Sequence, residues 1–230
     1  MYRTFIRSLA VVGLLALGIS TLDAAGPKIT DPAKVDSDYA LQGEYSGSFE
    51  NNGETYKAGA QIIALGNAEF AISFYPGGLP GDGFGKDKSK VVRANGKLEN
   101  GSVKFTGEKG SAVLSKDGIA LFDTDGNGGP VLKKVNRKSP TLGAKPPKGA
   151  VVLFDGSNVD NWKNGRLSDD GLLMEGTTSK NLFQDHRLHL EFRIPYQPLD
   201  RGQGRGNSGI YVQGRYEIQM LDSFGLHGAM

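Results

Sequence analysis

Cysteine is absent from the 230 residues of this chain. Its absence excludes a disulfide framework, a thiolate zinc site, a cysteine nucleophile and a lipid-modified cysteine behind a leader sequence. A strong excess of charge of one sign is also lacking, since 27 Lys and Arg stand against 25 Asp and Glu, for a net charge of +2. The composition therefore gives no electrostatic sign of a nucleic-acid partner or of an anionic membrane surface.

Long hydrophobic runs are scarce as well. The apolar run from Leu9 to Ile19 follows two arginines and precedes the small residues Ala24-Ala25. It is about half of the ~20 residues that a membrane-spanning helix needs, so residues 1–25 are predicted to be a secretory signal peptide. We expect a secreted or periplasmic protein with no membrane contact after cleavage, which begins with a polar tail over residues 26–38.

Glycine is abundant, with 34 residues, and helical periodicity is weak. Short apolar or alternating runs recur between residues 39 and 135, separated by turn signals such as Asn51-Asn52-Gly53, Asn95-Gly96 and Asn100-Gly101. This pattern predicts an all-β protein whose residues 39–135 form a small antiparallel β-meander or barrel-like domain. The runs are Tyr45 to Glu50, Ala60 to Leu65, Phe70 to Tyr75, Lys90 to Ala94, Ser102 to Thr106, Ser111 to Leu114, Ile119 to Asp123 and Val131 to Val135.

A segment rich in proline and basic residues, 136–149, breaks this rhythm and predicts an extended linker. A second domain, residues 150–230, then starts with a short apolar run from Ala150 to Phe154, which predicts a strand. Its one tryptophan, Trp162, is expected to pack in the core, with stacking on a sugar ring as the alternative.

Two segments of the second domain alternate polar and apolar residues with the period of a strand, one from Arg187 to Ile194 and one from Arg215 to Met220. If both belong to one sheet, their polar side chains converge on its open face. Such a row can bind a polyhydroxylated ligand or carry out acid-base chemistry. The alternative is a solvated sheet surface with ordinary cross-strand ion pairs. The polar residues of interest are His189, Glu191, Arg193, Glu217 and Gln219.

The glycines between these segments, Gly204, Gly206 and Gly209, spell Gly-x-Gly-x-x-Gly. A dinucleotide site needs a helix directly after this motif, whereas the residues that follow here alternate as a strand. We therefore reject nucleotide binding and predict a loop whose backbone approaches a ligand or the sheet.

Six motifs of the second domain stand in a specific order and spacing: Val152-Leu153-Phe154-Asp155-Gly156, Trp162, His189-Leu190-Glu191-Phe192-Arg193, Gly206-Asn207-Ser208-Gly209-Ile210-Tyr211, Tyr216-Glu217-Ile218-Gln219 and Leu221-Asp222-Ser223-Phe224-Gly225. Together they resemble the 3-keto-disaccharide hydrolase family. The resemblance implies a concanavalin A-like jelly roll in a bacterial secreted protein, and it leaves residues 39–135 unexplained. Family members continue past the last motif, so we expect residues 150–230 to be the N-terminal half of the domain, with an unpaired edge and low activity in isolation.

The resemblance implies a hydrolase of the elimination and hydration type that acts on 3-keto-glycosides or 3-keto-disaccharides. A ketone at carbon three acidifies the hydrogen on carbon two, so a carboxylate base can remove it and the enolate can expel the glycosidic oxygen from carbon one. The alternative function is a non-catalytic carbohydrate-binding module of concanavalin A-like fold.

By matching position, the resemblance implies that Glu217 is the general base and that Glu191 or Asp222 is its acid partner or a cation ligand. Asp222 reaches this site only if the strand ends or bulges after Met220. A divalent cation held by the histidine and the carboxylates fits the residue types. The residues implied in enolate stabilisation or sugar binding are His189, Arg193, Asn207, Tyr211 and Gln219.

Overall fold

The computed structural model describes residues 26–225, apart from Asn52 and Lys86. The predicted signal peptide lies outside this range. Within it, the regular structure consists of β-strands and 3-10 helices of three or four residues, which confirms the all-β prediction. No helix of the described part is long and apolar enough to cross a membrane.

Eight antiparallel strands form a closed barrel in which each strand pairs with its neighbour in the chain. The barrel closes where Glu44 and Ser46 of the first strand pair with Val135 and Lys133 of the last. Closure removes both free sheet edges. The prediction of a barrel-like first domain is confirmed, and each predicted run overlaps one strand. The strands are β1 (Gly43–Asn51), β2 (Glu54–Gly66), β3 (Glu69–Pro76), β4 (Val92–Glu99), β5 (Ser102–Gly107), β6 (Gly110–Ser115), β7 (Gly118–Phe122) and β8 (Gly128–Val135).

The barrel interior is filled by apolar side chains, which the strands present at alternate positions. Burying each large one stabilises the fold by roughly 1.5–3 kcal/mol, and the packed interior is a core rather than a pore. The principal core residues are Tyr45, Ala60, Ile62, Ala64, Phe70, Ile72, Val103, Phe105, Leu114, Ile119 and Leu132.

One predicted turn is wrong. Asn95-Gly96 lies inside β4, where Asn95 pairs with Ala71 and Gly96 pairs with Phe70 of β3. The turn between β4 and β5 instead uses Asn100 and Gly101, both at positive φ, as expected of a two-residue hairpin. A continuous ladder with β3 therefore overrides the local turn preference of the Asn-Gly pair.

The second domain contains two small ladders in the described residues. β9 (Trp162–Lys163) pairs with β10 (Thr178–Ser179), and β11 (Asn207–Val212) pairs with β12 (Tyr216–Leu221). These ladders are too small to define a jelly roll, which stays a prediction for this domain.

The strand predicted from Arg187 to Ile194 is wrong in this structure, and so is the one from Ala150 to Phe154. Alternation specifies which side chains share a face, but a strand also needs a partner for its backbone, and no described segment pairs with either run. Apolar side chains of the longer run therefore lie exposed, with Phe192 60% accessible to solvent.

Residues 194–206, here named the docking segment, pack against the N-terminal tail and the barrel. Ile29 and Tyr196 exchange two backbone hydrogen bonds of 3.1 and 2.9 Å. The Tyr196 hydroxyl donates to Asp36 at 2.9 Å, and Arg201 donates to the carbonyl oxygen of Leu65 at the end of β2 over 3.0 Å. The docking segment leads directly into β11, so these contacts fix the start of the β11–β12 hairpin against the barrel.

Candidate active site on the hairpin

Four of the predicted site residues lie on one face of the β11–β12 hairpin. Tyr211 is directly opposite Glu217, and Gly209 is opposite Gln219. Opposite residues of an antiparallel pair project on the same side of the sheet, and residues two apart on one strand do so as well. Tyr211, Glu217 and Gln219 therefore share a face with Asn207.

The carboxylate of Glu217 extends across the hairpin and lies above Gly209. A Cβ atom placed on Gly209 would be 2.2 Å from Oε1 of Glu217, closer than two such atoms can approach. The missing side chain at position 209 therefore makes room for this carboxylate. Glu217 is exposed, and the Tyr211 side chain beside it is 62% exposed, so both are accessible to a ligand.

Three side-chain amides form a hydrogen-bonded group at the other end of the same face. Gln219 Nε2 donates to Gln203 Oε1 at 2.6 Å and to Asn207 Oδ1 at 3.2 Å. Asn207 Nδ2 donates to the main-chain oxygen of Gln203 at 3.0 Å. We name Gln203, Asn207 and Gln219 the amide cluster; all three are exposed. Amides offer both donors and acceptors, which suits sugar hydroxyls.

Gln203 was not predicted from the sequence, where it appears as one polar residue in a glycine-rich loop. The loop forms a 3-10 helix, Gly202–Gly204, and then enters β11 directly. A strand follows the glycine motif, as predicted, so the helix that a dinucleotide site requires is not formed after it. The compact turn brings Gln203 back over Asn207 and Gln219.

Asp222 belongs to a different environment from Glu217. β12 ends at Leu221, and the Asp222 carboxylate turns to Arg205, whose Nε donates to Oδ2 at 2.8 Å. The Arg205 side chain is 1% exposed and also donates to the carbonyl oxygen of Ala64 in β2. This ion pair joins the end of the hairpin to the barrel, and the acid or ligand role of Asp222 stays a prediction.

The remaining predicted residues form a second group away from the hairpin sheet. Glu191 Oε1 accepts a hydrogen bond from the Gly143 amide in the linker and lies 3.5 Å from His189 Nε2. Arg193 pairs with Asp170, whose pKa lies below its ordinary value because Ser168 and then Arg193 donate hydrogen bonds to it. The two polar rows were predicted to converge only if both segments belong to one sheet. This condition is not met, because the segment that carries His189, Glu191 and Arg193 is not paired with β11 or β12.

A preassembled metal centre is not found in the part of the chain that the structure describes, where no three His, Asp or Glu side chains lie close enough to hold an ion. Glu191 is the carboxylate that lies beside His189, whereas the Asp222 carboxylate pairs with Arg205. The divalent cation considered from the residue types therefore has no ready set of ligands among these residues.

The hairpin and the turn at Asp222 contain three of the motifs on which the family resemblance rests. Residues 149–229 match the family model of the 3-keto-alpha-glucoside-1,2-lyase-like domain. The family resemblance predicted from the sequence is thereby confirmed for this part of the chain, and the match supports a carbohydrate-related function. No curated protein matches the chain, and no solved structure does.

Residues 149–229, named the lyase-like domain after the model that they match, begin at the last residue of the linker, so the barrel falls outside the match. Surface clefts are present both on the barrel and in the second domain. A cleft of about 320 Å³ on the barrel is lined by Leu65, Glu69, Phe70, Asn95, Gly96 and Lys97. A smaller one of about 160 Å³ lies between Val152 and Asn161 in the lyase-like domain. Neither of these two clefts is lined by a predicted site residue, and the candidate active site rests on the shared face of Asn207, Tyr211, Glu217 and Gln219.

Proposed function

We propose that the lyase-like domain cleaves 3-keto-glycosides by elimination, with Glu217 as the base. The observation that carries this proposal is the exposed carboxylate of Glu217, which lies over Gly209 beside Tyr211 on the face that also holds the amide cluster. A general base must be accessible to the proton it removes and must have a defined position. The exposure of Glu217 and its position over Gly209 support this role.

The proposed reaction transfers the hydrogen on carbon two, as a proton, to the Glu217 carboxylate. The electron pair of that bond passes to the carbon-three carbonyl and forms an enolate. When the enolate collapses, a double bond forms between carbons one and two, and the bond between carbon one and the glycosidic oxygen breaks. The departing oxygen takes up a proton. Addition of water across the double bond then gives the free 3-keto-sugar, so that the two steps together amount to hydrolysis.

The neighbouring residues have complementary tasks in this proposal. The exposed ring of Tyr211 packs against the sugar, and its hydroxyl is a hydrogen-bond donor for the enolate oxygen. The amide cluster holds the sugar hydroxyls through its free donors and acceptors. We assign no step to His189, Glu191, Arg193 or Asp222, whose contacts lie elsewhere, and their roles stay predictions.

The test is the variant Glu217→Gln, assayed with a 3-keto-disaccharide and with the same disaccharide unoxidised. We expect turnover of the oxidised sugar to fall by roughly 10²- to 10⁴-fold, the usual contribution of a general base, while its binding survives. Exchange of the carbon-two hydrogen with deuterated water, followed by NMR, should be lost in parallel. Glu175→Gln, at an exposed carboxylate of the same domain, is the matched control and should keep full activity.

Two results would count against the proposal. Full activity of Glu217→Gln would remove Glu217 from the reaction. Saturable binding of both sugars by the unaltered protein, with no product from either, would identify a carbohydrate-binding module instead. The amide cluster supports this second function as well, since three neutral amides bind hydroxyls without requiring any reaction.

A further inference from the structure

The backbone nitrogen of Gly26 makes a specific contact with the docking segment. It donates to Asp200 Oδ1 at 3.0 Å. The other carboxylate oxygen, Oδ2, accepts a hydrogen bond of 2.8 Å from Gln197 Nε2. Gln197 is 1% exposed, and its own side-chain oxygen accepts from the Gly206 amide at 3.0 Å. The Asp200 carboxylate that receives Gly26 is therefore held in place by a buried side chain.

The chain also packs closely at Gly26. A Cβ atom at this position would lie 3.0 Å from the Cβ of Leu199 and 3.2 Å from Asp200 Oδ2. Both distances are shorter than ordinary van der Waals contacts, so a larger residue would have to displace its neighbours. Because Gly26 has no side chain, its backbone nitrogen can approach the fixed carboxylate of Asp200.

The position of this nitrogen coincides with the end of the predicted signal peptide. Gly26 follows Ala24-Ala25, the small residues of the predicted cleavage region. We propose that Gly26 is the N-terminus of the mature protein and that its α-ammonium group forms an ion pair with Asp200. A signal peptidase would add water across the Ala25–Gly26 peptide bond, leaving a carboxylate on Ala25 and an amine on Gly26 that takes up a proton.

Cleavage changes the strength of this contact. A peptide N–H offers one neutral donor, whereas an α-ammonium group offers three donors and a full positive charge. The Asp200 carboxylate is the acceptor in both cases, so cleavage adds the Coulomb attraction between two opposite charges to a hydrogen bond that already exists. The paired Ile29 and Tyr196 lie close by along the same two segments. Processing would therefore strengthen the attachment of the tail to the docking segment, which carries Gln203 and Arg205.

The first experiment determines where the mature chain begins. The full chain is expressed in a bacterial secretion host, and the exported protein is analysed by N-terminal sequencing and intact mass. We expect a chain that begins at Gly26. A mature chain that begins at any other residue, or an exported chain that keeps its leader, would overturn the proposal.

The second experiment measures the ion pair by a double-mutant cycle. A chain that begins at Gly26 is compared with one that keeps Ala25 as an added first residue, each with Asp200 or with Asp200→Asn. We expect the extension to lower Tm by about 2–4 °C with Asp200 and to have no effect with Asp200→Asn. Asp185→Asn, at an exposed position, is the control and should leave the effect of the extension unchanged.

A third comparison needs no substitution and covers the case in which Asp200→Asn does not fold. Because 1 M salt reduces the screening length to about 3 Å, the difference in Tm between the Gly26 chain and the extended chain should shrink in 1 M NaCl. Equal effects of the extension in both backgrounds, or a difference that salt leaves unchanged, would refute the ion pair.

Discussion

Arg205 and Asp222 form an ion pair that is almost closed to solvent, with Nε 2.8 Å from Oδ2. The Arg205 side chain is 1% exposed and that of Asp222 13%. The same guanidinium donates to the carbonyl oxygen of Ala64 at 3.0 Å. One buried cation thus holds together the end of β12, the docking segment and the end of β2, so we infer that the barrel helps to position the proposed active site.

The variant Arg205→Met should therefore destabilise the protein strongly. It leaves the Asp222 carboxylate partly buried without its cation, and breaking a buried pair in this way costs about 3–5 kcal/mol. The free energy of unfolding can be measured in urea through the fluorescence of Trp162, which is partly buried in the same domain. The matched control is Arg215→Met at an exposed turn, which should change stability by less than about 0.5 kcal/mol.

A double variant separates the loss of the pair from the loss of packing. Arg205→Met combined with Asp222→Leu removes both charges, and most of the lost stability should return because no unpaired charge remains. If Arg205→Met were no more harmful than Arg215→Met, the docking role of this pair would be refuted.

Gly209→Ala should reduce catalysis with little effect on folding. The added Cβ atom occupies the space of the Glu217 carboxylate, which must then move away from its position over the strand. Alanine is otherwise acceptable in a strand, where glycine is itself unfavourable. We expect kcat for a 3-keto-disaccharide to fall by at least about 10-fold, the cost of a misplaced catalytic group, with Tm nearly unchanged.

The control for this prediction is Gly85→Ala. A Cβ atom on Gly85 would meet no atom within 4 Å, and this glycine lies in a barrel loop away from the hairpin. The Gly85→Ala variant should have the same kcat as the unaltered protein. A Gly209→Ala enzyme with normal kcat would show that the observed position of Glu217 is not the reactive one.

The barrel was predictable from the sequence because its strands pair with strands that are adjacent in the chain. Each of its strands pairs with the next one in the chain, so alternating runs and the turns between them are sufficient to define the meander. Asn95-Gly96 was misassigned because a dipeptide preference was weighed without the ladder that overrides it. Among the strand pairs of the barrel, only the closure between β1 and β8 joins segments that are far apart in the sequence.

The second domain was harder to predict because its contacts are long-range. Arg187 to Ile194 shows the clearest alternation of the chain, yet alternation does not reveal whether a partner strand exists. Arg205 looks like one more loop residue until Ala64 of the barrel provides its acceptor. The shared face of Glu217 and Gln219 followed from the strand period alone, whereas the contribution of Gln203 depends on how the loop turns back.

A network on the outside of the barrel links the linker to β1. Arg137 donates from Nε to Glu44 Oε2 at 2.6 Å and from Nη2 to Oε1, while Gln61 Nε2 donates to Oε1 at 3.0 Å. The hydrogen bonds from Arg137 lower the pKa of Glu44 below its ordinary value of 4.5, although partial burial acts in the opposite direction. The folded protein therefore keeps this carboxylate ionised at a pH where the unfolded chain is already taking up a proton.

The sign of the resulting pH dependence follows from proton binding. Between the lowered pKa of the folded state and 4.5, the unfolded chain binds more protons at Glu44, so stability rises with pH in this window. The contribution is complete above 4.5 and is lost as the pH falls through the folded pKa. In Glu44→Gln the rise of Tm with pH below about 5 should be shallower, whereas Glu99→Gln, at an exposed carboxylate of β4, should retain it. Identical slopes in the two variants would show that Arg137 does not stabilise the ionised form of Glu44.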